Sequence, residues 1–200
     1  MRNDLEIHIA MHTLAEIQAL YYARNEAVLA MFGVDRETAC LLSKGSLSTD
    51  IISAIHSYVS ATEKNPFFSE NIQEFKEYLI THIEKILLLE DCISNGISMN
   101  LASELFGIPL KNLRARFDCQ FEPAGAKILN ESAIFNIEDM VFEHLGDGWS
   151  FTICRYEYAR FLLKTALRLG VSIHQITRTM ASQGYEFSFT IKHINQYGDK

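Results

Sequence analysis

Residues 96–117 read GISMNLASELFGIPLKNLRARF, and their pattern predicts two short helices joined by a tight turn. Ser103 is the small residue that lets two helices cross closely, Gly107 turns the chain four positions later, and Leu113 anchors the second helix. Pro109 suits the start of that second helix, because its missing N–H costs little there. The segment therefore has the residue pattern of a helix-turn-helix.

The second helix of this segment carries polar side chains on the side that we expect to face solvent. These side chains can contact DNA phosphates and read base edges in a major groove: Lys111, Asn112, Arg114 and Arg116. An ordinary helical hairpin whose exposed face is basic explains the same pattern, and both interpretations stay open at this point.

A second pair of helices is predicted in residues 172–194. Ser172 is expected to cap a first helix and Ser188 a second, which would bury Ile191 and Ile194. The spacing is similar to the C-terminal helix-turn-helix of site-specific recombinases, with a longer turn; a purely structural helical cap is the alternative. The outward side chains would bind DNA: Arg178, Ser188, Thr190, Lys192 and His193.

The rest of the chain also favours helices. Only three prolines interrupt it, and apolar residues recur mainly at helical spacing. We predict an all-α helical bundle with helix-turn-helix elements, and one short extended piece at 149–153. The other predicted helices cover about residues 5–32, a short stretch after Asp35, the stretch from Ser48 or Thr49 to Asn65-Pro66, the stretch from Ser69 to Asn95-Gly96, and the stretch from Cys154 to Gly170.

The charge of the chain is unevenly distributed. The formal net charge is −7 overall, and it is −7 over residues 1–94, −4 over 95–154 and +4 over 155–200. Nucleic-acid binding depends on basic residues, so the basic last third is the part in which DNA contact is expected. A solvated charge imbalance without a function is the alternative.

Several classes of protein and site are not expected. No apolar run approaches the roughly 20 residues of a membrane span, which predicts a cytoplasmic protein that does not enter a membrane. The four cysteines form no Cys-x-x-Cys pair, so we expect neither a disulfide framework nor a zinc site, and no other cofactor. His8 and His12 lack the glutamate that a metalloprotease helix places between its histidines, and no catalytic frame is found elsewhere. We therefore expect a protein that is not an enzyme.

Two parts of the chain resemble the two subunits of the flagellar master activator. AMFGV at 30–34 and ETACLL at 37–42 are similar to the FlhD subunit. The first helix-turn-helix, PAGAKILNES at 123–132 and YARFLLK at 158–164 are similar to the FlhC subunit. The order of the parts resembles proteins of integrative and conjugative elements, in which the two subunit types are joined.

The resemblance implies an FlhD-like oligomerisation domain at 1–94 and an FlhC-like DNA-binding domain at 95–200. It implies an activator of transcription that binds double-stranded DNA as a multimer and contacts RNA polymerase, and it adds Lys127 to the DNA-binding residues. Self-association and assembly with a related subunit both stay open. FlhC proteins carry a four-cysteine zinc site near the C-terminus, but no cysteine follows Cys154 here, so zinc is not carried over.

Two other functions are compatible with the sequence. A protein–protein adaptor or anti-activator would keep the helical hairpins without DNA contact. A recombination or partition accessory would bind DNA at a different kind of target.

Overall fold

The computed structural model of the protein describes residues 2–117 and 129–190, apart from the side chain of Arg2. Helices account for 73% of the structure, and one two-stranded parallel sheet completes it. The mostly helical fold class is confirmed, and the small sheet is an addition to it. The described elements are α1 (Arg2–Tyr22), α2 (Glu26–Met31), α3 (Arg36–Leu42), a 3-10 turn (Gly45–Leu47), α4 (Ser48–Thr62), α5 (Ile72–Ser94), α6 (Met99–Phe106), α7 (Leu110–Phe117), α8 (Glu131–Leu145), β1 (Ser150–Cys154), α9 (Arg155–Leu169), α10 (Ile173–Ser182) and β2 (Glu186–Thr190).

The chain divides into two compact units, Met1–Ile86 and Leu87–Lys200. The division lies inside α5, a little before the boundary at residue 94 that the sequence suggested. The last two turns of α5 belong with the second unit because Leu89, Cys92 and Ile93 are buried in its core. None of the described helices is both long enough and apolar enough to cross a membrane.

The first unit is a small helical bundle in which α1 packs against α2, α3 and α4. The apolar residues Ala10, Leu14 and Ile17 of α1 are buried. They share one face because they are three or four residues apart, which is about one helical turn. Removing this face from water is the main favourable contribution to the stability of the bundle.

The predicted single helix over residues 5–32 is wrong, because α1 ends at Tyr22 and a separate α2 begins at Glu26. Arg24 adopts a left-handed conformation with φ 54°, which stops the first helix. The side chain of Asn25 then accepts a hydrogen bond from the Val28 N–H and caps the second. Met31, at the end of α2, is 83% exposed, although it lies on the apolar stripe of the single helix expected from the sequence.

The start of α5 also differs from the prediction, since the helix begins at Ile72 and not after Ser69. Two buried asparagines hold the preceding turn. The Asn65 side chain accepts a hydrogen bond from the Phe67 N–H at 3.0 Å, and the Asn71 amide donates to the Asn65 carbonyl at 2.8 Å. These bonds pair backbone polar groups in a non-helical conformation, so the helix begins only at Ile72.

Asp35 begins α3 and also forms an ion pair. Its carboxylate accepts a hydrogen bond from the Thr38 N–H at 2.7 Å and lies 3.0 Å from the Lys76 ammonium. These contacts, led by the Thr38 N–H, lower the pKa of Asp35 to about 2. The charged carboxylate is therefore favoured in the folded state.

We expect the substitution Asp35→Asn to reduce the acid sensitivity of the first unit. A lowered folded-state pKa contributes stability that is present above the unfolded value near 3.8 and is lost as the pH falls towards about 2. Asparagine keeps a capping oxygen but cannot titrate. Urea unfolding, measured by circular dichroism between these pH values, should show a shallower decline for the variant; equal slopes for variant and wild type would contradict this origin of the pH dependence.

The second unit is built around the end of α5 and the helices α6–α10, with the sheet packed on the same core. β1 and β2 are parallel, and Phe151 pairs with Phe187 while Ile153 pairs with Phe189. The extended piece predicted near Trp149 is confirmed as β1. The helix predicted to begin at Ser188 is wrong, because residues 186–190 form β2 and its side chains alternate between the core and solvent.

Candidate nucleic-acid interface

Helices α6 and α7 form a helical hairpin with a well-defined turn. The Ser98 hydroxyl accepts a hydrogen bond from the Leu101 N–H and caps the start of α6. Gly107, at φ 65°, ends α6, and its N–H donates to the Ser103 carbonyl at 2.9 Å. The Ser103 hydroxyl then donates to the Ile108 carbonyl at 2.8 Å. Ser103 and Gly107, picked out from the sequence, thus fix the geometry of the turn.

Core packing determines which side of α7 faces solvent. Leu113 is 1% exposed and Phe117 is 7% exposed, and both belong to the core of the second unit. They are four residues apart, so they define one buried side of the helix. The opposite side is consequently held towards solvent.

Three of the predicted site residues lie on this exposed side: Lys111, Asn112 and Arg114. Lys111 and Arg114 are three residues apart and therefore neighbours on the helix surface. Within residues 2–117 and 129–190, neither of them has an ion-pair partner. Their positive charges are available to an external anion.

Arg116 differs from these two residues. Its guanidinium Nη2 lies 3.1 Å from a carboxylate oxygen of Glu90, and its Cζ lies 5.0 Å from the centre of the Phe117 ring. The Arg116 side chain is 35% exposed, so the ion pair is open to solvent. Arg116 would have to exchange Glu90 for a phosphate in order to contact DNA.

A further cation lies beside the hairpin turn and was missed by the sequence analysis. A Cβ placed on Gly107 would be 4.0 Å from Nη1 of Arg155. The Arg155 side chain is half-buried, and its Nε is buried without a hydrogen-bond partner in the described part of the protein. No local pattern links residues 107 and 155, because their proximity depends on how α9 packs against α6.

We expect Gly107→Ala to destabilise the second unit by about 1–2 kcal/mol. In the left-handed conformation a Cβ atom lies too close to the following carbonyl oxygen, and this repulsion has about that size. No close contact contributes, since the nearest atom to the added Cβ is the flexible end of Arg155. Gly107→Asn is the matched control, because asparagine tolerates this conformation better. Urea unfolding followed by Trp149 fluorescence should rank the variants Gly, then Asn, then Ala. An alanine variant as stable as wild type would show that the turn does not depend on this φ value.

Of the second predicted pair of helices, the described residues contain only the first. Ser172 caps α10 as predicted, with a full capping box that includes Gln175, and Ile173, Ile176 and Met180 are buried. Arg178 is exposed on α10, while Ser188 and Thr190 are exposed on β2 and not on a helix. A strand cannot present Ser188 and Thr190 as a recognition helix would, so their predicted place on a second helix is wrong; Ile191 and Ile194, which that helix was expected to bury, lie outside the described residues. Lys127, Lys192 and His193 lie outside the described residues.

The described residues contain no group of three metal-binding side chains. Cys40, Cys92 and Cys154 are free thiols, and burial is the largest cause of the raised pKa of Cys92, to about 12. Such a thiol stays protonated and unreactive near neutral pH. No protein-family model, curated protein or solved structure matches the chain.

Proposed function

We propose that the protein is a DNA-binding regulator of transcription, an oligomeric activator in which an FlhD-like part and an FlhC-like part are joined in one chain. The observation that carries this proposal is the exposed face of α7. There Lys111 and Arg114 extend from a hairpin that is fixed by Gly107 and anchored by Leu113.

The dimensions of α7 suit a DNA groove. The helix has 8 residues, about two turns. With its side chains an α-helix is about 10–12 Å in diameter, and the major groove of B-DNA is about 12 Å wide. Lys111 and Asn112 belong to its first turn, where backbone N–H groups favour contact with phosphate. Arg114 would then read a guanine edge or hold a second phosphate.

The acidic character of the whole chain opposes DNA binding, whereas the phosphate contacts of α7 favour it and weaken as the salt concentration rises. A net charge of −7 repels DNA at long range, while the cations of α7 act at short range. The electrostatic screening length is about 10 Å at 0.1 M salt, so moderate salt weakens the distant repulsion. Specific contacts in the groove must supply the rest of the affinity.

Exposed apolar side chains in the first unit support the oligomeric part of the proposal. Leu5 is 60% exposed and Ile9 is 38% exposed, and they lie one turn apart on α1. Aligned apolar residues of this kind are typical of a helix that packs against another chain. A second copy of the protein, or a related subunit, would cover them.

The test is selection of bound sequences from a pool of random DNA duplexes, followed by an affinity measurement at several salt concentrations. We expect enrichment of a defined site and a log–log salt plot with a negative slope. In transcription with purified RNA polymerase, a promoter that carries the site should become more active. Failure to retain any duplex at low salt would favour the adaptor function instead.

A further inference from the structure

An exposed pair of stacked aromatic rings lies at the start of the sheet. Trp149 precedes β1 and is 59% exposed, and its ring centre lies 4.8 Å from that of Tyr185, with 29° between the planes. Tyr185 is in turn stacked on Phe151 at 6.4 Å. The Glu186 N–H donates to the Trp149 carbonyl at 2.7 Å, which fixes the backbone at this position. The tryptophan ring is therefore held in place while much of its surface faces solvent.

Two carboxylates lie near Tyr185, the second ring of this pair. Glu138 and Asp147 both act on the hydroxyl of Tyr185 and, after burial, which is the largest cause, raise its pKa. Glu186 follows Tyr185 and is exposed, but its side chain points to the other side of β2, because side chains alternate along a strand. Neither Glu138 nor Asp147 has an ion-pair partner among the residues that the structure describes. The surface is thus both aromatic and negatively charged.

Helix α8 also carries exposed aromatic and acidic side chains. Glu138 lies on α8 between Phe135 and Phe142, at the spacing i, i+3 and i+7 that places residues on one face. Phe135 is 67% exposed and Phe142 is 64% exposed. Aromatic residues are enriched in the contact surfaces of proteins, whereas carboxylates of this number repel nucleic acid.

We propose that the Trp149–Tyr185 pair, together with Glu138 and Asp147, binds an arginine-bearing segment of a partner protein. A guanidinium stacks on the face of an indole ring and forms hydrogen bonds to carboxylates at the same time. Lysine provides the charge without the flat surface, so arginine is the better match. None of these residues belongs to α7, and the proposal does not depend on DNA binding.

The chain contains a single tryptophan, so its fluorescence reports binding at this surface without an added label. The probe is a short synthetic peptide of alternating arginine and serine, and the measurement is Trp149 emission during titration. We expect a saturable change with the arginine peptide and none with the same peptide in which neutral citrulline replaces arginine. An equal response to citrulline would overturn the proposal, because the positive charge would then be irrelevant.

Two sets of variants test the acidic residues and the ring. The pair Glu138→Gln and Asp147→Asn should weaken binding about tenfold, as expected from two exposed ion pairs. The control pair Glu70→Gln and Glu84→Gln removes the same charge from exposed positions of the first unit and should leave the affinity within about twofold. Equal weakening by both pairs would overturn the proposal, since it would indicate a general charge effect.

Trp149→Ala, measured by calorimetry, should weaken binding about threefold, the size of an exposed cation–π contact. Unchanged affinity in this variant would exclude the ring from the site.

A single-stranded oligonucleotide serves as the competing ligand. Saturable quenching of Trp149 by the oligonucleotide, without a response to the arginine peptide, would assign the stacked rings to nucleic acid and contradict the proposal.

Discussion

Reversing the charges of Lys111 and Arg114 together is expected to lower DNA affinity by about a hundredfold or more, since each contact of this kind contributes about 1–3 kcal/mol. Both side chains are exposed, and neither has an ion-pair partner among the described residues. Their replacement by glutamate should therefore leave the fold intact. The negative slope of the log–log salt plot should also become smaller by about two units, because about 0.9 unit accompanies each phosphate contact.

Arg116 is a poorer choice for this test. Its replacement by glutamate would place a second carboxylate beside Glu90, which now pairs with the arginine at 3.1 Å. A loss of DNA binding could then follow from repulsion within the fold. The substitutions of Lys111 and Arg114 introduce no such repulsion, so a loss of DNA binding in that variant would report the loss of DNA contact alone.

The matched control reverses two exposed cations outside α7, Arg24 and Lys44 of the first unit. It changes the net charge of the chain by the same amount. If DNA contact is made by α7, this control should retain most of the affinity. Wild-type affinity in the Lys111→Glu, Arg114→Glu variant, measured by fluorescence anisotropy with the selected duplex, would exclude α7 as the contact surface.

Tyr158→Ala is expected to destabilise the second unit by about 3–5 kcal/mol, the usual cost of removing a buried aromatic ring. Tyr158 is 3% exposed on α9. Its ring centre lies 4.5 Å from that of Phe187 and 5.2 Å from that of Phe189. The tyrosine thus joins the helical core to β2, and its loss would open a cavity and release the strand.

Urea unfolding followed by Trp149 fluorescence provides the measurement, because Trp149 stacks on Tyr185 beside the same strand. Tyr158→Phe is the control; it keeps the ring and removes only the hydroxyl, so its stability should lie within about 1.5 kcal/mol of wild type. A large loss in the phenylalanine variant would shift the explanation from packing to the hydroxyl. A small loss in the alanine variant would show that β2 does not depend on this contact.

The helical hairpin could be predicted because its determinants are local. Ser98, Gly107 and Leu113 each fix a cap, a turn or a buried side within a few residues of the chain. The break between α1 and α2 was missed although Asn25 is a good capping residue, because the apolar pattern continues through it. Apolar periodicity predicts which faces are buried more reliably than it predicts where helices are interrupted.

The strand β2, in contrast to the hairpin, could not be predicted from local residues. Glu186-Phe-Ser-Phe-Thr190 alternates in the way a strand does, yet Ser188 followed by apolar residues suggested a helix cap. Pairing with β1 decides between the two, and β1 is distant in sequence. The pairing of Arg116 with Glu90 was likewise beyond local patterns, as it depends on how α7 lies against the end of α5.

The parallel direction of β1 and β2 has a consequence for how the second unit folds. No hairpin can bring the strands together, because the chain must first pass through α9 and α10. The entropy of closing that long loop is lost before the strand hydrogen bonds form, so we expect the helices to dock first and the strands to pair afterwards. Trp149, which directly precedes β1, is therefore expected to reach its final environment late in refolding, after most of the helical structure has formed.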